Sequence, residues 1–251
     1  MIDVVHQGSV AILSMRHGKA NAMDTEFCDS ITRCFERFAA SPARAAVLTG
    51  QGRMFSAGVD LLRASDAGPD YFPQFLPALR KACEAVFFCH KPVVAAINGH
   101  AIAGGCVLAC ATDRRLMARE GGRIGVTEML VGVPFPVIAL EIMRFALPPH
   151  RFEDVVFGAA TYPPDAAVEL GLTHDVVDGE KLVEAAVAAA QKLGGLTPAA
   201  FAQTKRQTRQ IVADRLATDG PRHDPEVDRI WCAPQALTNI RTYVSQTFKK
   251  A

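Results

Sequence analysis

Lys91-Pro92-Val93-Val94-Ala95-Ala96-Ile97-Asn98-Gly99-His100-Ala101-Ile102-Ala103-Gly104-Gly105-Cys106 is the stretch on which the fold turns. Pro92 opens a five-residue apolar run, Asn98-Gly99 closes it, and Gly104-Gly105 precede a Cys-Val-Leu-Ala-Cys-Ala-Thr segment with buried-helix spacing. A buried strand thus passes through a glycine-rich turn into a buried helix. The first amides of that helix lack intrahelical partners and carry the positive end of its dipole, so the turn favours an oxyanion. It is neither a G-x-G-x-x-G dinucleotide fingerprint nor a Walker A loop. Taken alone, tight packing of helix on strand explains its glycines better than binding does.

Outward from this stretch, strands and helices alternate. Residues 2–7 and 10–15 read as a hairpin turning at Gln7-Gly8, and Asp24 as the N-cap of a helix to about Ala40 with Phe27, Ile31, Cys34, Phe35 and Phe38 on one face. Ala45–Thr49 is a buried strand, 50–60 a glycine-rich loop, 63–70 a small polar stretch, and Tyr71 to Phe88 a helix. Further on, 114–118 reads as a strand, 135–146, 149–158 and 165–170 as helices, 173–177 as a strand and 180–193 as a helix. After Gly194-Gly195 come an amphipathic helix over 199–216, a partly irregular Asp-, Arg- and Pro-rich segment over 217–229, and a last helix over 234–248. The alternation specifies an α/β core over residues 1–194, with 195–251 as a helical C-terminal region suited to assembly.

Composition narrows the function classes. The chain has 251 residues, 27 Lys+Arg against 26 Asp+Glu, and a net charge of +1, so no global field recruits nucleic acid or a membrane surface. No apolar run reaches transmembrane length, and the N-terminus lacks a basic stretch followed by an apolar one, so no signal peptide is expected. Seven cysteines, odd in number and set in apolar segments, fit reduced thiols in a cytoplasmic chain. Cys106 and Cys110 are helix neighbours, but no further ligand completes a metal set, and no metal is expected.

Two other segments carry chemistry-bearing residues. Phe55-Ser56-Ala57-Gly58-Val59-Asp60-Leu61 is small enough for a ligand to approach its backbone. In Gly125-Val126-Thr127-Glu128-Met129-Leu130-Val131-Gly132-Val133-Pro134, Glu128 is a lone carboxylate among apolar residues, where burial would raise its pKa toward that of a proton shuttle. No G-x-S-x-G elbow occurs and Ser56 has no identifiable base, which leaves a nucleophilic triad unsupported.

In this order and register, Asn21-Ala22-Met23, FSAGVDL, KPVVAAINGHAIAGGC, Asp113, the Glu128 segment and AAVELGLTHDVV (166–177) resemble the crotonase (enoyl-CoA hydratase/isomerase) superfamily. The resemblance implies a spiral of repeated ββα units, homotrimers or dimers of trimers, and a coenzyme A thioester as substrate rather than a bound prosthetic group. It implies backbone N–H donors from Val59 and Gly104 around the thioester oxygen, and Ala22, Met23, Ala57, Gly58, Asp60, Leu61 and Gly105 along the CoA moiety. Lys19, Arg63 and Lys249-Lys250 are candidates for the CoA phosphates, and Phe72, Phe75, Phe135 and Phe145 for the acyl pocket, the core being an equal reading for these four.

One departure bears on the reaction. Hydratases of this family use two glutamates; where the first belongs this chain has Val107, and the second falls on Glu128. A valine neither holds water nor moves a proton, whereas one carboxylate in a dry pocket suits transfer of a proton from C2 to C4. The pattern resembles the Δ3-Δ2-enoyl-CoA isomerases, with Glu128 catalytic, and fatty acid metabolism is the implied setting. The alternatives are hydration, decarboxylation or thioester hydrolysis aided by a polar group from 60–75 (Asp60, Asp66, Asp70 or Tyr71), and a non-catalytic acyl-CoA binder.

Overall fold

The computed structural model describes residues 1–120 and 122–248, Phe248 by its backbone alone. Its N-terminal unit is β1 (Ile2–Gln7), β2 (Val10–Met15) and α1 (Thr25–Ala40). The hairpin turns where Gly8 takes a φ of +60°, and Asp24 caps α1 by accepting from the Phe27 amide.

A ββα motif then repeats. β3 (Ala45–Thr49) and β4 (Met54–Ser56) lead to α2 (Leu61–Ala67) and α3 (Phe72–Phe87). β5 (Val93–Ile97) and β6 (His100–Ile102) lead to α4 (Gly104–Cys110), and β7 (Arg114–Ala118) and β8 (Ile124–Gly125) to α5 (Glu128–Val131). The first strand of each repeat joins a six-stranded sheet of order β1-β2-β3-β5-β7-β9, and the second joins a small sheet of order β4-β6-β8. Parallel pairing throughout β4-β6-β8 stacks the three connecting turns, so the segments singled out by sequence converge at one place.

The chain continues through α6 (Val137–Ala146), α7 (Pro149–Gly158), α8 (Pro164–Glu169), β9 (Asp175–Val177) and α9 (Leu182–Gly194). Alternate residues of the large sheet face different cores. Ala46 and Leu48 join the main core beneath α1, α3 and α4, whereas Ala45, Val47, Val94 and Ala96 pack under α9 through Leu182, Ala186 and Ala190. Burial on both faces explains why β3 and β5 are apolar runs instead of alternating ones.

Three expectations are corrected. The 50–60 loop contains β4, and the small polar stretch 63–70 largely forms α2, whose first turn is capped by Asp60 through the Arg63 amide. The segment 217–229 is helical, because α10 runs unbroken over Pro198–Trp231 before α11 (Pro234–Phe248). Pro221 and Pro225 lie inside α10, where proline removes a hydrogen bond and disfavours helix. Tertiary contacts outweigh that cost. Arg80 of α3 bridges Asp224 and Asp228, Asp224 accepts the Val137 amide that opens α6, and the Trp231 indole donates to Pro134 O over 2.8 Å.

Candidate active site

The loop Phe55–Leu61 is laced to the segment that precedes α1. Asn21, at a φ of +46°, donates from Nδ2 to Phe55 O and accepts Ser56 Oγ on its own carbonyl. Ala57 N donates to Ala20 O, Gly58 N to Ser56 Oγ, Met23 N to Gly58 O, and Asp60 N to Met23 O. The amides of residues 57, 58 and 60 are therefore satisfied, and that of Val59 has no acceptor among the described residues.

The turn between β6 and α4 comes against this loop. A Cβ added at Gly58, whose φ is +77°, would stand 2.6 Å from Ile102 O and 2.9 Å from Gly104 N. One added at Gly104 would stand 3.1 Å from Met23 Sδ and 3.9 Å from Val59 N. Ala103 is held at a φ of +52°, unusual for a residue with a side chain, and Gly104 opens α4 with its N–H unpaired among the described residues. Two unpaired amides, Val59 and Gly104, thus lie side by side. Gly105 instead presses on β4, since a Cβ there would come within 2.3 Å of Ser56 O.

Beside them opens a cavity of about 710 Å³, within the range of small-molecule sites. Its wall includes Ala57, Val59, Ile102, Ala103, Val131 and Val133, and Glu128 as the first residue of α5. Glu128 Oε2 is buried without a hydrogen-bond partner among the described residues, and burial pushes the carboxyl up to about 7, opposed in part by backbone amides at its own position and at Thr127. The other carboxylate on the wall is Asp60, whose Oδ1 is occupied in capping α2.

Of the residues tied to CoA by the resemblance, Ala22, Ala57, Asp60 and Leu61 line this cavity, as does Lys19 at its exposed rim. Met23, Gly58 and Gly105 lie behind it and shape the backbone. Arg63 is turned to Asp24 at 2.9 Å and Glu26 at 2.6 Å, so its charge is already met. Lys249-Lys250 fall outside the described residues. Asp66, Asp70 and Tyr71 do not reach the wall; Tyr71 stacks on Phe75 and accepts the Thr25 amide on its hydroxyl. None of the four phenylalanines lines it. Phe72, Phe75 and Phe135 are buried in the core, and Phe145 is half-exposed at a different cavity.

Several wall residues escaped the sequence reading. Trp231, Tyr243 and Thr247 arrive from α10 and α11, which fold back over the core. His17 stacks on Phe27 and holds Asp24 at 2.8 Å, and His100, given no role in the opening stretch, faces the cavity from β6. Burial, with Arg53 and Arg123 nearby, lowers the pKa of His100. Spacing could not find Trp231 or Tyr243, because α10 and α11 bring them from more than a hundred residues beyond Glu128. Val107 is in the core, 1% exposed, and Cys106 and Cys110 are buried thiols.

The profile of the enoyl-CoA hydratase/isomerase family matches residues 6–221 of this chain. A Thermus thermophilus protein described as a putative enoyl-CoA hydratase is 31% identical over 206 residues, 80% of this chain and 81% of its own. A carnitinyl-CoA dehydratase of Salmonella typhi is 31% identical over 208 residues, 81% of this chain and 78% of its own. The crystal structure of human mitochondrial Δ3-Δ2-enoyl-CoA isomerase superposes with a TM-score of 0.91 over 99% of this chain and 98% of that one at 22% identity, which shows the fold. With the repeated ββα units and the matched span in agreement, the chain belongs to the enoyl-CoA hydratase/isomerase family.

Proposed function

We propose that this enzyme moves the double bond of a 3-enoyl-CoA to the 2-position by way of a dienolate. Glu128 removes a proton from C2, the negative charge spreads to the thioester oxygen, and the resulting Glu128 carboxylic acid returns the proton at C4. The observation that carries the reading is Glu128 itself: a carboxyl with a buried, unpartnered oxygen, held near neutral pKa in a largely apolar wall. Such a group is close to half-ionised at neutral pH, as one residue that acts first as base and then as acid requires.

The unpaired Val59 and Gly104 amides serve as the oxyanion hole, fixed before the charge develops. Each such donor is typically worth about 100- to 1,000-fold in rate. Ala22, Ala57, Asp60 and Leu61 border the CoA arm and Lys19 meets its phosphates, while Met23, Gly58 and Gly105 act through the backbone. Val107 supports isomerisation over hydration, since the place of a second glutamate is buried and apolar.

Hydration or dehydration is the second reading. It is favoured by the relatives described as hydratase and dehydratase, and by His100, a polar side chain on the wall able to hold a water. Glu128→Gln, assayed with 3-hexenoyl-CoA and with crotonyl-CoA, tests the assignment. Loss of about 100- to 10,000-fold in isomerisation with the fold intact supports it. An unchanged rate removes Glu128 from the chemistry. The same reading makes the protein a homotrimer of cytoplasmic fatty acid metabolism, which sedimentation and fractionation test.

A further inference from the structure

A second cavity, of about 400 Å³, lies where α10 crosses the start of β7, and its chemistry differs from that of the first. Among its described lining residues the buried cations outnumber the carboxylates. Lys205, Arg209 and Arg115 are 7%, 4% and 5% exposed, and Asp113 is the single acid on the wall. Asp113 is already saturated: Oδ2 accepts Lys205 Nζ at 2.7 Å and the Val93 amide at 2.8 Å, and Oδ1 accepts Arg209 Nη2 at 2.8 Å.

That leaves positive charge without a counter-ion. Arg115 donates to the carbonyls of Leu172 and Gly171 and pairs with no carboxylate among the described residues. Arg209 stacks on Phe87 with its Nη1 buried and unpartnered. Arg114, also on the wall, is balanced by Asp175 at 2.5 Å. His174 responds to the local field: burial, then Arg115 and Arg114, push its pKa down to about 4, so it adds no charge and accepts the Arg115 amide on Nδ1. Burying net charge without a partner is unfavourable, and an anion in the cavity offsets that cost. Phe145, Phe201 and Leu193 complete an apolar flank.

We propose that this cavity is a binding site for a small organic oxyanion, a phosphate or carboxylate on a short apolar body, seated against Arg115, Lys205 and Arg209. The anion meets a guanidinium fork and an ammonium already fixed by Asp113, and the apolar body covers Phe145 and Phe201. The site is separate from the Glu128 cavity and shares no lining residue with it.

The test is calorimetric titration of the full chain with inorganic phosphate, phenyl phosphate, benzoate and benzyl alcohol, with CoA present to occupy its own phosphate contacts. Thr208 is an exposed residue of α10 on the cavity wall, so Thr208→Glu supplies a carboxylate in place of the ligand without touching a buried cation. The expected result is one saturable site per chain for phenyl phosphate or benzoate, none for benzyl alcohol, binding weakened at least tenfold by Thr208→Glu and retained by Thr208→Gln, and acyl-CoA turnover unchanged in both variants. Phosphate against benzoate tells which oxyanion is preferred. Absence of saturable binding overturns the proposal, as does equal binding in the two variants. Binding that appears only when dilution separates copies of the chain also overturns it, because a second copy would then be the occupant.

Discussion

Glu128 shows how one side chain can be read from sequence, and what sequence leaves out. Its apolar neighbours announced a raised pKa, and the structure places Oε2 buried without a partner. A carboxyl whose folded pKa lies near 7, against the usual 4.5, holds its proton more tightly in the native state than in the unfolded one. The protein therefore loses stability from this group as pH rises from about 4.5 to about 7. Glu128→Gln should be more stable than wild type at pH 8, by up to about 3 kcal/mol, with the gain gone below pH 4.5 in chemical denaturation. An equal stability at both pH values would mean that the carboxyl is solvated. In the wild type, kcat/KM for isomerisation should rise with pH to a plateau above about 7, because the base form attacks first. Val59, Gly104 and Ala57 were singled out through the family resemblance, since the glycine pattern alone fits tight packing as well; His17 and His100 were not read as wall residues, since no single-residue pattern says which way an isolated histidine faces.

Among the elements, the β4-loop-α2 segment and α10 are the informative cases. Gly58 must be glycine twice over: its φ is +77°, and a Cβ would stand 2.6 Å from Ile102 O. Gly58→Ala should therefore displace the Val59 amide, lower kcat by at least tenfold and reduce stability by about 1–3 kcal/mol. Wild-type kcat in that variant would detach the Val59 amide from catalysis. In the opening stretch, strand, turn and helix were all legible, yet β4 and β6 were missed because three-residue strands carry no readable alternation. α10 was read short for a sound local reason, two interior prolines, and long-range contacts decided otherwise. Asp224, which accepts the Val137 amide and pairs with Arg80, anchors that helix. Asp224→Ala should cost about 1–3 kcal/mol in thermal or denaturant unfolding, for it leaves the Val137 helix-start amide unmet and Arg80 paired with Asp228 alone.

Across the whole molecule, a net charge of +1 hides two local environments. The Glu128 cavity is largely apolar, with Lys19 at its exposed rim, and the far cavity gathers buried cations around one saturated carboxylate. Lys19→Ala should raise KM for an acyl-CoA several-fold with kcat unchanged, and the difference should shrink at high salt, as an exposed charge contact does. Alternation in the sequence displays an α/β core and the family resemblance supplied the ββα spiral, whereas the far cavity joins β7 to α10 across some ninety residues and left no local trace. Folding α10 and α11 over the core also places Trp231 and Tyr243 at the wall, so the C-terminal region completes the cavity that Glu128 lines. The most direct test of that single-carboxylate chemistry is to follow 3-hexenoyl-CoA and crotonyl-CoA by NMR with the purified protein. Accumulation of 2-hexenoyl-CoA from the first, with little or no 3-hydroxybutyryl-CoA from the second, is the predicted result. Rapid hydration of crotonyl-CoA with 3-hexenoyl-CoA left untouched would contradict it.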